Sequence, residues 1–305
     1  MLTKQQFDLL CLAAQKKEMS AAKVQDEQNG LSENEIFCVK QELRRQRFLA
    51  GDQITPEGLA ALEPYRVKRI IFIAAGFGRR MVPVTLVKPK GMVKVNGVRM
   101  IDTLIDAAIA AEIPDIVIVR GYKGEAFDEL LEKYPQIRFF DNPHYDEGDN
   151  IISAEYVVDL LENCYILDSD FILREPSLIR KYEYESIHCG IPAEQSDDWI
   201  LETDENGIIQ SEGYGGKNTH IGISVTYWDA KDGNQLGRDI DEVFHSKDGK
   251  KNYWQAVPFT LKKENYQIKL RECSESDIVE IDSFEELVAM DSSYADFHCN
   301  EMPEQ

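Results

Sequence analysis

Five apolar residues, Ile70-Ile71-Phe72-Ile73-Ala74, lead through Ala75 into Gly76-Phe77-Gly78. A short run rich in β-branched residues and closed by glycine reads as a strand buried on both faces. From Arg69 onward the sequence alternates in this manner. Helices are expected over residues 100–111, 123–133 and 151–161, and strands over 70–74, 116–119, 137–140 and 164–167. Such alternation predicts an α/β fold: a Rossmann-like, mostly parallel sheet with helices on both faces. Ligands of such sheets bind beyond the carboxyl ends of the strands. Gly76-Phe77-Gly78 and Asp168-Ser169-Asp170 both fall at such ends.

Residues 1–66 follow another pattern and are read as a separate domain ahead of a catalytic domain over 67–305. Thr3 can cap a helix carrying Phe7, Leu10, Cys11 and Ala14. Residues 20–28 are expected as a second helix, closed by Asn29-Gly30. Ser32 and Glu35 form a capping-box signature opening a third, which runs to Arg44-Arg45-Gln46-Arg47. Two strands are expected around Gly51-Asp52, and Thr55-Pro56 starts a further helix. The order resembles a winged helix-turn-helix, and residues 54–59 look like the post-wing helix of MarR-like regulators. That resemblance implies DNA contacts through Arg44, Arg45 and Arg47, or a dimerisation or regulatory module giving a homodimer. Glu33 and Glu35 stand at the leading end of the candidate recognition helix and count against the DNA reading.

Net charge is −21 over 305 residues, which argues against a polyanionic partner for the whole chain. Residues 1–66 carry nine Lys/Arg and ten Asp/Glu, so nearly all the excess lies beyond them. Six cysteines are scattered without zinc spacing, and neither a secretory leader nor a membrane-length apolar segment is read. A cytoplasmic protein with reduced thiols is expected.

The segment from Ile73 to Lys90 carries most of the functional signal. Glycines after a strand let backbone N–H groups approach phosphate oxygens, while Arg80 and Lys90 add the cations a triphosphate needs. A dinucleotide fingerprint would want glycine at Met81, and a P-loop would want Gly-Lys-Ser/Thr; neither is present. The segment resembles the sugar-nucleotide pyrophosphorylase and cytidylyltransferase signature A-A-G-x-G-[ST]-R-x-x-P-x-T-x-x-x-P-K. It departs from that signature at Arg79, where Ser or Thr is usual, and at Gly91, where Pro often follows the Lys. The resemblance implies a nucleotidyltransferase in which Arg80 grips the β/γ-phosphates and Lys90 the α-phosphate. Ala75, Gly76, Gly78 and Arg79 then belong to the nucleotide loop.

Asp168-Ser169-Asp170 and Glu280-Ile281-Asp282 are two acid-x-acid pairs at apolar strand ends, each aiming two carboxylates the same way. Mg²⁺ prefers such oxygen ligands. Asp170 and Asp282 are expected to hold it, with Asp168 and Glu280 beside them. Residues 142–153, 164–170, Asp198-Trp199, Tyr253-Trp254 and 279–283 occur in the order found in bacterial LicC-type choline-phosphate cytidylyltransferases, a resemblance spanning about residues 68–290. It implies CTP as nucleotide, with Ala74, Gly121 and Tyr122 at the base and Asn150 and Ser153 near the nucleotide. Asp198, Trp199, Tyr253 and Trp254, with Glu280, would hold a cationic acceptor. The implied product is CDP-choline, for decoration of cell-surface glycan. Gln255 stands where some relatives carry an acid, which keeps phosphoethanolamine and 2-aminoethylphosphonate open as acceptors. A sugar-1-phosphate nucleotidyltransferase and a regulator sensing CTP or CDP-choline remain alternatives.

Overall fold

The structure is a computed structural model that describes residues 1–15 and 32–297. The chain divides into two compact units, Met1–Arg66 with Tyr182–Tyr184, and Val67–Lys181 with Glu185–Gln305.

In the first unit, α1 (Lys4–Ala14) and α2 (Glu33–Arg45) both begin at capping boxes, on Thr3 with Gln6 and on Ser32 with Glu35. The expected helix over 20–28 lies outside the described residues. Strands β1 (Leu49–Ala50) and β2 (Gln53–Ile54) pair antiparallel around Gly51, whose φ of 64° suits a residue without Cβ. Helix α3 (Pro56–Leu62) starts with proline in its first turn behind the Thr55 cap. Phe7, Leu9, Leu10, Ile36, Leu43 and Leu62 form the core, joined by Tyr182. Tyr184 stacks on Tyr65 with centroids 5.5 Å apart, and its hydroxyl donates to the Leu2 carbonyl at 3.1 Å.

The second unit is built on a seven-stranded sheet. Its elements begin with β3 (Arg69–Ala74), a small hairpin of β4 (Lys94–Val95) and β5 (Val98–Arg99), and α4 (Met100–Ala110). Then come β6 (Asp115–Arg120), β7 (Arg138–Asp141), α5 (Ile151–Glu155), β8 (Cys164–Asp168) and β9 (Phe171–Leu173). The long hairpin β10 (Ile187–Thr203) and β11 (Ile209–Trp228) follows, then α6 (Ala230–Phe244), β12 (Lys269–Glu272), β13 (Ile278–Glu280) and α7 (Phe284–Met290). The strand order is β12-β10-β11-β8-β3-β6-β7. Four of its six pairings are parallel, and β11 is antiparallel to both neighbours.

Strand alternation places side chains on opposite faces. Ile70, Phe72, Ile116 and Ile118 pack with Leu104 and Ile105 of α4 on one side. Ile71, Ile73, Val117 and Val119 pack with Leu236 and Ile240 of α6 on the other. Each fully buried side chain of this size contributes about 1.5–3 kcal/mol. The α/β expectation therefore holds, with helices on both faces.

Two expected helices are realised differently. Residues 123–133 form 3₁₀ turns over Gly124–Glu132, entered through left-handed Lys123 at φ 48°. Residues 151–161 stop being α-helical after Glu155 and continue as a 3₁₀ turn, Val158–Leu160. Two glycines of α6 close on that turn. A Cβ on Gly233 would lie 2.0 Å from the Leu161 carbonyl oxygen, and one on Gly237 would lie 2.4 Å from that of Val158.

Candidate active site

Strand β8 runs parallel to β3, with Asp168 opposite Ile73, so the acidic turn and the glycine loop leave the sheet at the same edge. The loop's shape is set locally. Gly78 adopts φ 70° and ψ 50°, and a Cβ there would crowd Thr85 and Lys90 at 3.1 and 3.3 Å. Thr85 Oγ1 donates to the Gly78 carbonyl at 3.0 Å, and the Tyr122 hydroxyl donates to the Thr85 carbonyl at 3.0 Å. A Cβ on Gly91 would lie 2.7 Å from Ser169 Oγ and 3.0 Å from its carbonyl oxygen. The departure at Gly91 thus seats Lys90 directly on the Asp168-Ser169-Asp170 turn.

The second acidic pair arrives by strand pairing. Glu280 of β13 is opposite Phe171 of β9, and the Ile281 N–H donates to the Asp170 carbonyl at 3.1 Å. Ile281 is buried with Met81 and Val84 of the loop, which fixes Asp282 beside it. As a result Lys90 Nζ lies 2.5 Å from both Asp170 Oδ2 and Asp282 Oδ1. Arg80 pairs with the other oxygen of Asp282. Burial alone would lower the Lys90 pKa; the Asp170 and Asp282 carboxylates outweigh it and hold Lys90 above the ordinary lysine value. Lost hydration, then the Asp170 charge, pushes Asp168 and Glu280 above the usual carboxylate range.

Asp170, Glu280 and Asp282 each present an oxygen within 4.8 Å of the others. Asp170 Oδ1 is shielded from solvent and has no hydrogen-bond partner. A hard-oxygen set with an unsatisfied buried carboxylate oxygen fits a divalent cation such as Mg²⁺.

These acids form one end of a cleft of about 540 Å³ that also takes in Arg80, Asn150 and Ser224. The other end is aromatic. Trp199 of β10 is opposite Tyr214 of β11 in the hairpin register, with ring centroids 6.0 Å apart, and Tyr253 lies 6.3 Å from Trp199. All three rings are at least half exposed. Asp198, whose carboxylate accepts the Trp199 N–H at 2.7 Å, and Glu212 also line the cleft.

Nine expected contact residues lie outside the cleft lining. Trp254 is fully buried in the core, 6.2 Å from Trp228, because residue 254 points inward where exposed Tyr253 points out. Only its backbone serves the cleft, the N–H donating to Asn150 Oδ1 at 2.8 Å. Ser153 is also buried, its hydroxyl accepting from Asn142 Nδ2 at 3.0 Å, so it braces the fold. Ala74, Ala75, Gly76, Gly78, Arg79, Gly121 and Tyr122 lie outside the cleft lining. There the Tyr122 N–H donates to the Ala75 carbonyl at 2.9 Å, Phe77 meets the Tyr122 ring edge-on at 4.5 Å, and Gly121 packs on Tyr145.

Sequence reasoning missed Tyr214, Glu212 and His188. Glu212 and Tyr214 are two apart on one strand, hence on one face, but glycines at 213, 215 and 216 break the apolar pattern that marks a strand.

A nucleotidyl transferase family model matches residues 69–181, which sets the class of protein that this sheet and cleft define. The chain is 31% identical to the 2-aminoethylphosphonate cytidylyltransferase of Lancefieldella rimae over 227 residues, 73% of this chain and 92% of that protein. It is 30% identical to the choline-phosphate cytidylyltransferase of Streptococcus pneumoniae, covering 72% of this chain and 94% of the other. The solved CTP:phosphocholine cytidylyltransferase of Streptococcus pneumoniae superposes with a TM-score of 0.69 at 29% identity, over 75% of this chain and 99% of that one. The chain therefore belongs to the nucleotidyltransferase family, among its bacterial cytidylyltransferases, and is an enzyme. Among the described residues no helix is long and apolar enough to cross a membrane.

Proposed function

We propose that the enzyme transfers CMP from CTP to the phosphate or phosphonate of a small amine-bearing acceptor, phosphocholine or a related compound, and releases pyrophosphate. One observation carries this reading. Arg80, an acidic metal-type cluster whose Asp170 and Asp282 also hold Lys90, and an aromatic, acid-flanked recess line a single cleft.

In the proposed reaction an acceptor oxygen forms a bond to the α-phosphorus of CTP as the α–β bridging P–O bond breaks. The acceptor oxygen is already ionised near neutral pH, so no side chain need remove a proton. Lys90 serves the α-phosphate oxygens, where charge develops, and Arg80 serves the departing β/γ-phosphates. Asp170 and Asp282 would hold Mg²⁺, with Glu280 and Asp168 supporting them. When bound, that ion neutralises triphosphate charge and orients the phosphates. The loop 76–80 offers backbone N–H groups to the same phosphates. Trp199, Tyr214 and Tyr253 would attract the acceptor's cation through their rings, at about 0.5–2 kcal/mol each.

Pyrophosphate release measured over a panel of nucleotides and acceptors tests the reading. CTP with an amine-bearing phosphate or phosphonate should be preferred. Turnover of glucose-1-phosphate with no turnover of any amine acceptor would overturn it. The first unit's element order supports a winged-helix-like module, which we propose serves self-association.

A further inference from the structure

We propose that the acceptor's head is a primary ammonium group rather than a trimethylammonium, and that His188 and Glu212 select it. This rests on the cytidylyltransferase reading above and deepens it. The three exposed rings attract any cation and do not distinguish a methylated nitrogen from one bearing hydrogens.

Two other cleft residues do distinguish them. His188 of β10 lines the cleft yet is only 5% exposed, its ring against Phe259 at 5.1 Å. Burial holds its pKa down to about 4, so the imidazole is neutral near pH 7. Its hydrogen bond to the Ile223 backbone accounts for the single ring N–H. Nδ1, shielded and without a partner, is then left as a lone-pair acceptor. Glu212 is partly buried and accepts one hydrogen bond, from Thr260 Oγ1 at 3.3 Å. Burial raises its pKa, and no cation among the described residues pairs with it. Thr260 adjoins Phe259 in sequence, so one segment touches both Glu212 and His188, and both line the cleft.

A buried acceptor nitrogen and an uncompensated carboxylate together call for a ligand that brings both charge and N–H donors. A primary ammonium supplies three donors. A trimethylammonium supplies charge only and leaves Nδ1 and the carboxylate unsatisfied. Sites built to hydrogen-bond a substrate N–H discriminate strongly against analogues lacking it. Phosphoethanolamine and 2-aminoethylphosphonate share this head and differ at the phosphorus end.

The test uses the full chain with CTP and Mg²⁺, reading kcat/KM by pyrophosphate release. The acceptors are phosphoethanolamine, 2-aminoethylphosphonate, their N-methylated series and phosphocholine. At least one primary amine should exceed phosphocholine by about 100-fold or more, with efficiency falling at each methyl. The separate arms for phosphate and phosphonate identify the source of the head. Glu212→Gln and His188→Leu should shrink the preference to within about tenfold, through a higher acceptor KM. Equal or better use of phosphocholine overturns the proposal and leaves the cytidylyltransferase reading intact. Variants that depress every acceptor in proportion overturn the roles of His188 and Glu212. Failure to transfer CMP to any acceptor sinks both. Should His188→Leu not fold, the wild-type series and Glu212→Gln still decide.

Discussion

Lys90 stands between two carboxylates, each 2.5 Å from its ammonium group, and that arrangement sets both its charge and its cost of removal. Lys90→Met leaves Asp170 and Asp282 facing each other with Arg80 as the remaining cation on Asp282. Without divalent ions the variant should melt below the wild type. Added Mg²⁺ should raise its melting temperature more than it raises the wild type's, because no ammonium competes for the carboxylates. Turnover should fall about 10²–10³-fold with the loss of a charge aimed at the reacting phosphate; kcat within threefold of wild type would remove Lys90 from the chemistry. His188 gives a pH prediction of defined sign. Its folded-state pKa, about 4, lies below the ordinary value near 6.5. As pH falls the unfolded chain takes the proton first, so this contribution to stability is complete above about pH 6.5 and lost toward pH 4. It amounts to roughly 3 kcal/mol. Denaturant titrations at pH 7 and pH 4.5 should show His188→Leu losing less stability on acidification than the wild type. Equal losses would mean that His188 titrates normally.

At the scale of elements, legibility followed the regularity of the pattern. Strands β3, β6 and β8 are buried on both faces, and their unbroken apolar runs announced them within two residues. The loop after β3 and both acid-x-acid pairs stood out because phosphates and metals would demand such residue types at close spacing, and the structure brings Lys90, Asp170 and Asp282 together. The hairpin β10–β11 was not. Its register shifts repeatedly between His188 and Thr203, and Gly190, Gly213, Gly215, Gly216 and Gly222 interrupt any alternation. The cleft wall carried by Glu212 and Tyr214 was therefore hidden, although Trp199 across the hairpin was found. Trp254 was misassigned because a resemblance marks a position without saying which way its side chain points. Helix α6 shows a further constraint invisible to periodicity: Gly233 and Gly237 lie one turn apart, and both let the helix touch carbonyl oxygens of residues 158–161. Gly237→Ala is accordingly expected to destabilise the protein by about 1–3 kcal/mol through overpacking, despite alanine's better helix propensity. A lower urea midpoint at unchanged slope would show it; a midpoint at or above wild type would mean that the helix shifts away freely.

At the scale of the whole molecule, charge decides what the first unit can hold. The chain carries −21, and residues 1–66 themselves are close to neutral. Within that unit the cations of α2 are already engaged. Arg44 donates to the Gly51 carbonyl and to Asp52, both at 2.9 Å; Lys40 reaches Asp52 at 3.4 Å; Arg45 lies 3.5 Å from Glu42. A phosphate backbone would have to displace these acids, and the leading turn of the helix offers Glu33 and Glu35 instead of cations. DNA affinity grows with the number of phosphates neutralised and falls with salt in the same proportion. Few free cations among the described residues of that helix therefore mean weak binding with a shallow salt slope. Fluorescence anisotropy on a duplex of about 20 base pairs should give a Kd weaker than about 100 μM near 150 mM salt, at the weak limit of non-specific binding. Binding tighter than about 1 μM, with a log–log salt slope steeper than about −3, would require at least three new phosphate contacts. That outcome would restore the DNA-reading alternative and make this cytidylyltransferase a regulator as well as an enzyme.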